Sequence, residues 1–138
     1  MLLTCSEDVI RFVGVTFERA LSEVAARSGR SARLRFGVVD PDCVIYIDPT
    51  HGEVRESIDS DGPMTGLVAM AGDTALRYCQ GRVDLHSAVE AGEIVLEGDC
   101  IDLLEEVDTV VRLPQLYAEV MVAAGRSDLL RHELAAVS

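Results

Sequence analysis

The sequence predicts an α+β domain, a five-stranded sheet covered by helices. Three observations carry that expectation. Apolar residues recur at spacings of three and four across residues 7–28, the pattern of an amphipathic helix. The period then drops to two between Arg33 and Asp48, the pattern of strands with one buried face. From Gly72 onward, short helical segments bounded by glycines surround one further alternating segment. The chain has 138 residues, 49% of them hydrophobic, enough for one domain with a real core. The expected unit is a single domain over 1–138, with its core at 7–112 and extra C-terminal helices at 114–137.

In the first helix, Ile10, Val13, Phe17, Leu21 and Val24 make the stripe, and Val9, Val15 and Ala25 widen it. Thr4 with Glu7 fits a capping box, Ser6 is a second candidate cap, and Gly29 supplies a left-handed stop. Leu34, Phe36 and Val38 alternate with Arg33, Arg35 and Gly37 in the first strand. Asp40-Pro41-Asp42 is a turn, because proline presets φ and aspartate bonds to nearby backbone. Cys43–Asp48 is rich in β-branched and aromatic residues and reads as the second strand. After the turn at 48–52, residues 53–58 complete an antiparallel meander. The loop Asp59-Ser60-Asp61-Gly62-Pro63 ends it. Its D-x-D-G string lacks the further ligands and terminal glutamate of a calcium loop, so a solvated turn is expected and no metal.

Thr65–Ala71 is a fourth strand. Asp73 or Thr74 caps a short helix ending at Gly81, and Asp84 caps another ending at Gly92. Glu93–Glu97 is the last strand. Gly98-Asp99 opens a longer helix with Ile101, Leu104, Val107 and Val111 as its buried face and acidic residues in its first turns, where the helix dipole favours them. Pro114 starts a helix carrying Leu116, Tyr117, Val120 and Met121, closed by Gly125. Leu129, Leu130 and Leu134 suit one more short helix.

Twenty-four acidic residues against 12 basic ones give a net charge of −12, and every basic residue is arginine. Such a chain repels phosphate backbones, which excludes nucleic-acid partners unless arginines cluster. The densest group, Arg27, Arg30, Arg33 and Arg35, is accounted for by a helix end and an exposed strand face. No apolar run approaches the ~20 residues of a membrane span, so no stable membrane insertion is expected, and with no signal peptide the expected location is cytoplasmic. Cys5, Cys43, Cys79 and Cys100 form no C-x-x-C pair, which leaves reduced thiols and no zinc. Cys100 at a helix start is expected to be a buried structural cysteine. No G-x-S-x-G, Walker or G-x-G-x-x-G motif occurs, so neither a catalytic residue nor a cofactor is expected. His51 falls in a turn, and His86 reads as a surface histidine. The absence of lysine points to a bacterium with a GC-rich genome.

Gly72-Asp73, Gly81, Asp84, Ala88, the run from Gly92 to Asp99 and Leu103-Leu104 occur in an order that resembles the sterol carrier protein 2 family of lipid-binding domains. The detailed match covers about a third of the chain, and the order of elements roughly residues 7–112. The resemblance implies an apolar tunnel between sheet and helices that holds an acyl chain, a sterol or another hydrophobic small molecule. It carries over no catalytic residue. The eukaryotic carriers are basic and end in a peroxisomal tripeptide. This acidic chain ends Ala136-Val137-Ser138, so peroxisomal lipid transfer is not expected.

A tunnel needs inward side chains with few polar groups. Met70, Leu103, Leu104, Val107, Leu116, Val120 and Met121 are the candidates, because the helix faces after the last strand should cover the sheet. Each also suits plain core filling, and only the set favours a cavity. Two functions follow: a module that binds and carries or presents a hydrophobic molecule, or a cofactor-independent isomerase, cyclase or dehydratase of a bacterial biosynthetic pathway using the same cavity. The missing catalytic constellation favours the first. The sequence permits a homodimer or a partner enzyme and demands neither.

Overall fold

The structure, a computed structural model, describes residues 3, 5–29, 32–58, 61–62 and 64–126. The Thr4 capping box and the helix expected around Leu129–Leu134 lie outside the described residues.

The N-terminal helical stretch has three parts: α1 (Ser6–Asp8), a π-helical segment (Val9–Gly14) and α2 (Val15–Ser28). The expected stripe holds at Val13, Phe17, Leu21 and Val24, all buried, and Gly29 closes the helix at φ 72°. The wider π turn alters the rotation upstream. Val9 and Phe12 therefore face the core, and Ile10 is only half-buried. Thr16 is buried in the next turn, where its hydroxyl donates to the Phe12 carbonyl at 2.6 Å. The Ser6 cap does not form. Cys5 holds the capping position without a side-chain bond, and Ser6 is already helical.

Five strands follow the expected segments: β1 (Leu34–Val39), β2 (Cys43–Asp48), β3 (Glu53–Glu56), β4 (Gly66–Ala71) and β5 (Ile94–Gly98). Their spatial order is β3-β2-β1-β4-β5. Neighbours are antiparallel except β1 and β4, which run parallel with Phe36 opposite Val68. β3 stops at Glu56 rather than 58. Ser57 still donates its N–H to Val44, but Ile58 turns its N–H to the Asp61 carboxylate and the chain leaves the sheet. The connection must then return to the far side of β1, where the Thr65 N–H donates to the Arg33 carbonyl.

The remaining helices are α3 (Gly72–Cys79), α4 (Leu85–Glu90), α5 (Cys100–Val110) and α6 (Leu113–Ala123). Asp84 caps α4 as expected, accepting from the Ser87 N–H at 3.0 Å. Ala71, not Asp73 or Thr74, caps α3. The helix starts early because Gly72 packs on the Asp40 carbonyl, where a Cβ would sit 2.7 Å away. α5 starts against Gly66, where an added Cβ would lie 2.5 Å from Cys100 Sγ. That contact sets its rotation: Cys100, Leu103, Leu104 and Val107 face inward, and Ile101 is half-buried rather than core. Helices pack on one face of the sheet, α2 against β2 and β3, α3 against β1, and α5 against β4 and β5. Leu34, Phe36, Ile45, Ile47, Val68 and Ile94 supply the sheet's side of the core.

Candidate functional site

The layer between sheet and helices is the candidate site, and an aromatic stack occupies its middle. Phe36 rises from β1 to meet Phe17 of α2 at 5.0 Å between ring centroids, and Phe17 stacks on Tyr78 of α3 at 5.6 Å. All three are 2% exposed or less. Phe17 and Phe36 were read as core positions; Tyr78 carried no period that marked it.

The structure divides the seven candidate ligand residues into two groups. Met70 on β4 and Leu103, Leu104 and Val107 on α5 belong to the packing of α5 on the sheet. Leu116, Val120 and Met121 lie on α6, which packs against α2, the π segment and α3. All seven are buried, from Leu104 at 0% to Leu116 at 9% exposure. Leu116 reaches the edge of an open groove of about 410 Å³ between α2 and the α5–α6 elbow, whose rim includes Glu23, Arg27, Arg112 and Glu119. That volume lies within the usual ~300–1,000 Å³ of a small-molecule site.

At its Tyr78 end the aromatic stack meets a polar partner at the edge of the helix layer, the exposed Asp108. The Tyr78 hydroxyl donates to Asp108 Oδ1 on α5 at 3.0 Å. Burial pushes the Tyr78 phenol above its ordinary value, and the Asp108 charge adds to that. Burial also raises the Asp108 carboxyl, against the opposing bond from Tyr78. His86, exposed as expected, lies 3.1 Å from Glu105 beside this pair.

A second polar network sits on the opposite face of the sheet. Asp48 accepts from the Tyr46 hydroxyl at 3.0 Å and the Thr50 N–H at 3.0 Å, and lies 2.8 Å from His51 Nδ1. Burial opposes its ionisation, but the bonds from His51 and Tyr46 outweigh that and hold its pKa below the ordinary value. Arg55 covers the Tyr46 ring at 4.3 Å and pairs with Asp61 at 2.6 Å. Asp61 also accepts from Ser57 and the Ile58 N–H. The D-x-D-G loop thus spends its second aspartate on an arginine. Among the described residues no group of three or more His, Cys, Asp or Glu side chains is placed to hold a metal. Cys79 and Cys100 are buried, Cys43 is half-buried and Cys5 is exposed, and the four cysteines form no disulfide. Among the described residues no helix is long and apolar enough to cross a membrane.

No family profile and no curated protein sequence matches the chain. Solved structures do. The ubiquinone synthesis protein UbiJ-SCP2 superposes at a TM-score of 0.52 with 17% identity, over 82% of this chain and 99% of that one. Palmitated SCP2L2 from Aedes aegypti gives 0.50 with 14% identity, over 72% and 95%. The stereoselective inverting sec-alkylsulfatase Pisa1 from Pseudomonas sp. gives 0.51 with 19% identity over 63% of this chain. The match spans 14% of the sulfatase's length. Helices gathered on one face of a mixed five-stranded sheet define the class, an α+β domain. Within that class the chain has the sterol carrier protein 2 fold.

Proposed function

We propose that this chain binds a hydrophobic small molecule between its sheet and its helices and carries or presents it. The supporting observation is the fold, shared with a domain whose solved structure is palmitated. The ligand would be a lipid, an acyl chain, or a sterol-like or polyketide-like molecule. Met70, Leu103, Leu104, Val107, Leu116, Val120 and Met121 would line the tunnel. They are buried against other side chains in the described state, so a ligand would take their contacts in place of one another. Methionine suits such exchange, since its unbranched thioether repacks at low cost. The groove at Leu116 is the access point that this reading favours. A bacterial, cytoplasmic, biosynthetic setting belongs to the same proposal.

Titration with a fluorescent fatty-acid analogue tests the reading. Saturable binding displaced by other long apolar molecules supports it, and no binding at micromolar probe sinks it. One observation favours a second reading, a cofactor-independent isomerase, cyclase or dehydratase. Asp108, with its raised pKa and its bond to Tyr78, has the character of a tuned acid. A ligand-bound structure with Asp108 beyond hydrogen-bond reach of the ligand would remove that reading.

A further inference from the structure

The sheet's outer face is only half covered. On the β2–β3 side Tyr46 and Asp48 are buried, with Arg55 over the Tyr46 ring and Asp61 bonded to Arg55 and Ser57. On the other half no described helix packs. The strand register sets Val44, Gly37, Ala69 and Val95 side by side in one row, with Val39 beside Ala71 in the next. Val39 is 60%, Val44 44% and Val95 50% exposed. Exposed apolar residues scattered singly need no explanation, but a contiguous band does.

The band has a shape and a charged border. From Val44 to Val95 it crosses three strand spacings, roughly 14 Å. Two residue levels along the strands give it the width of one helix, about 10 Å with side chains. Its middle is low. A Cβ placed on Gly37 would meet the Ala69 methyl at 3.6 Å and nothing closer, so Val44 and Val95 stand as ridges on either side. Around it, Asp40 and Asp42 follow Val39, Glu93 precedes β5, and Glu97 shares the outward face with Val95; all four are exposed. The outward arginines Arg35 and Arg55 are held by Ser57 and Asp61.

We propose that this band docks an amphipathic helix of a partner protein, one whose apolar stripe is flanked by lysine or arginine. A helix fits the width, and basic flanks complement the carboxylates. A second copy of this chain fits poorly, because each copy brings a net charge of −12 and the same acidic border. The site lies on the opposite side of the sheet from the proposed tunnel. A carrier built this way can hold its ligand and its partner together.

The test uses a fluorescent helical peptide of about 14 residues, leucine and alanine on one face and lysine at its flanks. It is titrated against the full chain and against the double variant Val44→Ser, Val95→Ser, which leaves charge unchanged at two exposed positions. Unchanged circular dichroism and melting show that the variant is folded. The expected result is saturable binding that weakens roughly tenfold in the variant and further with added salt. A version with glutamate flanks should not bind. Equal binding by wild type and variant would overturn the proposal, as would equal binding of the glutamate peptide or no binding at all. Concentration-dependent dimerisation abolished by the two serines would assign the band to self-association instead.

Discussion

The Phe17 ring lies 5.0 Å from the Phe36 ring at an angle of 46°, and this contact joins the helix layer to the sheet at its centre. Any apolar ligand held between the layers must pack along this pair or part it. Phe17→Ala should cost about 3–5 kcal/mol, since it removes a fully buried ring and leaves a void against Phe36 and Tyr78. Urea unfolding monitored by circular dichroism measures it. A loss below about 1 kcal/mol would mean that the layers are held elsewhere.

Gly98 and Gly92 both adopt left-handed backbone, at φ 76° and 79°. A Cβ on Gly98 would lie 2.5 Å from the Thr65 carbonyl oxygen, whereas nothing stands within 4 Å of one on Gly92. Gly92→Ala should therefore cost only the conformational strain, about 1–2 kcal/mol. Gly98→Ala should cost clearly more, because strand β5 must also shift from β4. Equal melting temperatures for the two variants would contradict this account of the Gly98-Asp99 step.

Asp61 fastens the β3–β4 connection, and bonds from Arg55, reinforced by the Ile58 N–H and Ser57, hold its pKa at about 2. A depressed carboxylate contributes stability above its unfolded pKa of about 3.9. That contribution fades as pH falls through the folded value. Asp61→Asn should lower the melting temperature at pH 7, and the gap to wild type should close between pH 4 and pH 2. Asp42→Asn, at an exposed turn position, serves as the control. A gap that stays constant with pH would show that Asp61 acts by packing alone.

How much of this was legible in the sequence follows from what each signal depends on. Period-two alternation marked β1 and β5, side-chain composition marked β2 and β4, and the turn before it marked β3; the Gly92–Asp99 run resembled the right fold, because caps and turns are set by local backbone needs. The π turn at Val9–Gly14 was not legible, and it moved Phe12 into the core and Ile10 toward the surface. Nor was the rotation of α5, which depends on how closely Cys100 approaches Gly66, a contact between distant residues. The candidate site comprises Met70 on β4 and the helix faces after β5, and all of these residues are buried. The Tyr78–Asp108 bond has no sequence signature, because its partners lie 30 positions apart with no motif between them.

Filling the space at Leu116 offers a separate test of the tunnel. Leu116→Trp adds volume where the buried layer meets the α2–α5–α6 groove, and should weaken a fluorescent fatty-acid probe by roughly tenfold, about 1.4 kcal/mol. Val122→Trp, on the solvent face of the same helix at 60% exposure, should leave binding unchanged. Equal effects from both would move the site off this face of α6.

Equilibrium titration with the fluorescent fatty-acid analogue reads out whether a hydrophobic molecule lodges between sheet and helices. Saturable binding is expected at micromolar probe, with one site per chain, reversed by a long-chain competitor and lost on unfolding. Folded protein that shows no saturable signal at that concentration would contradict it.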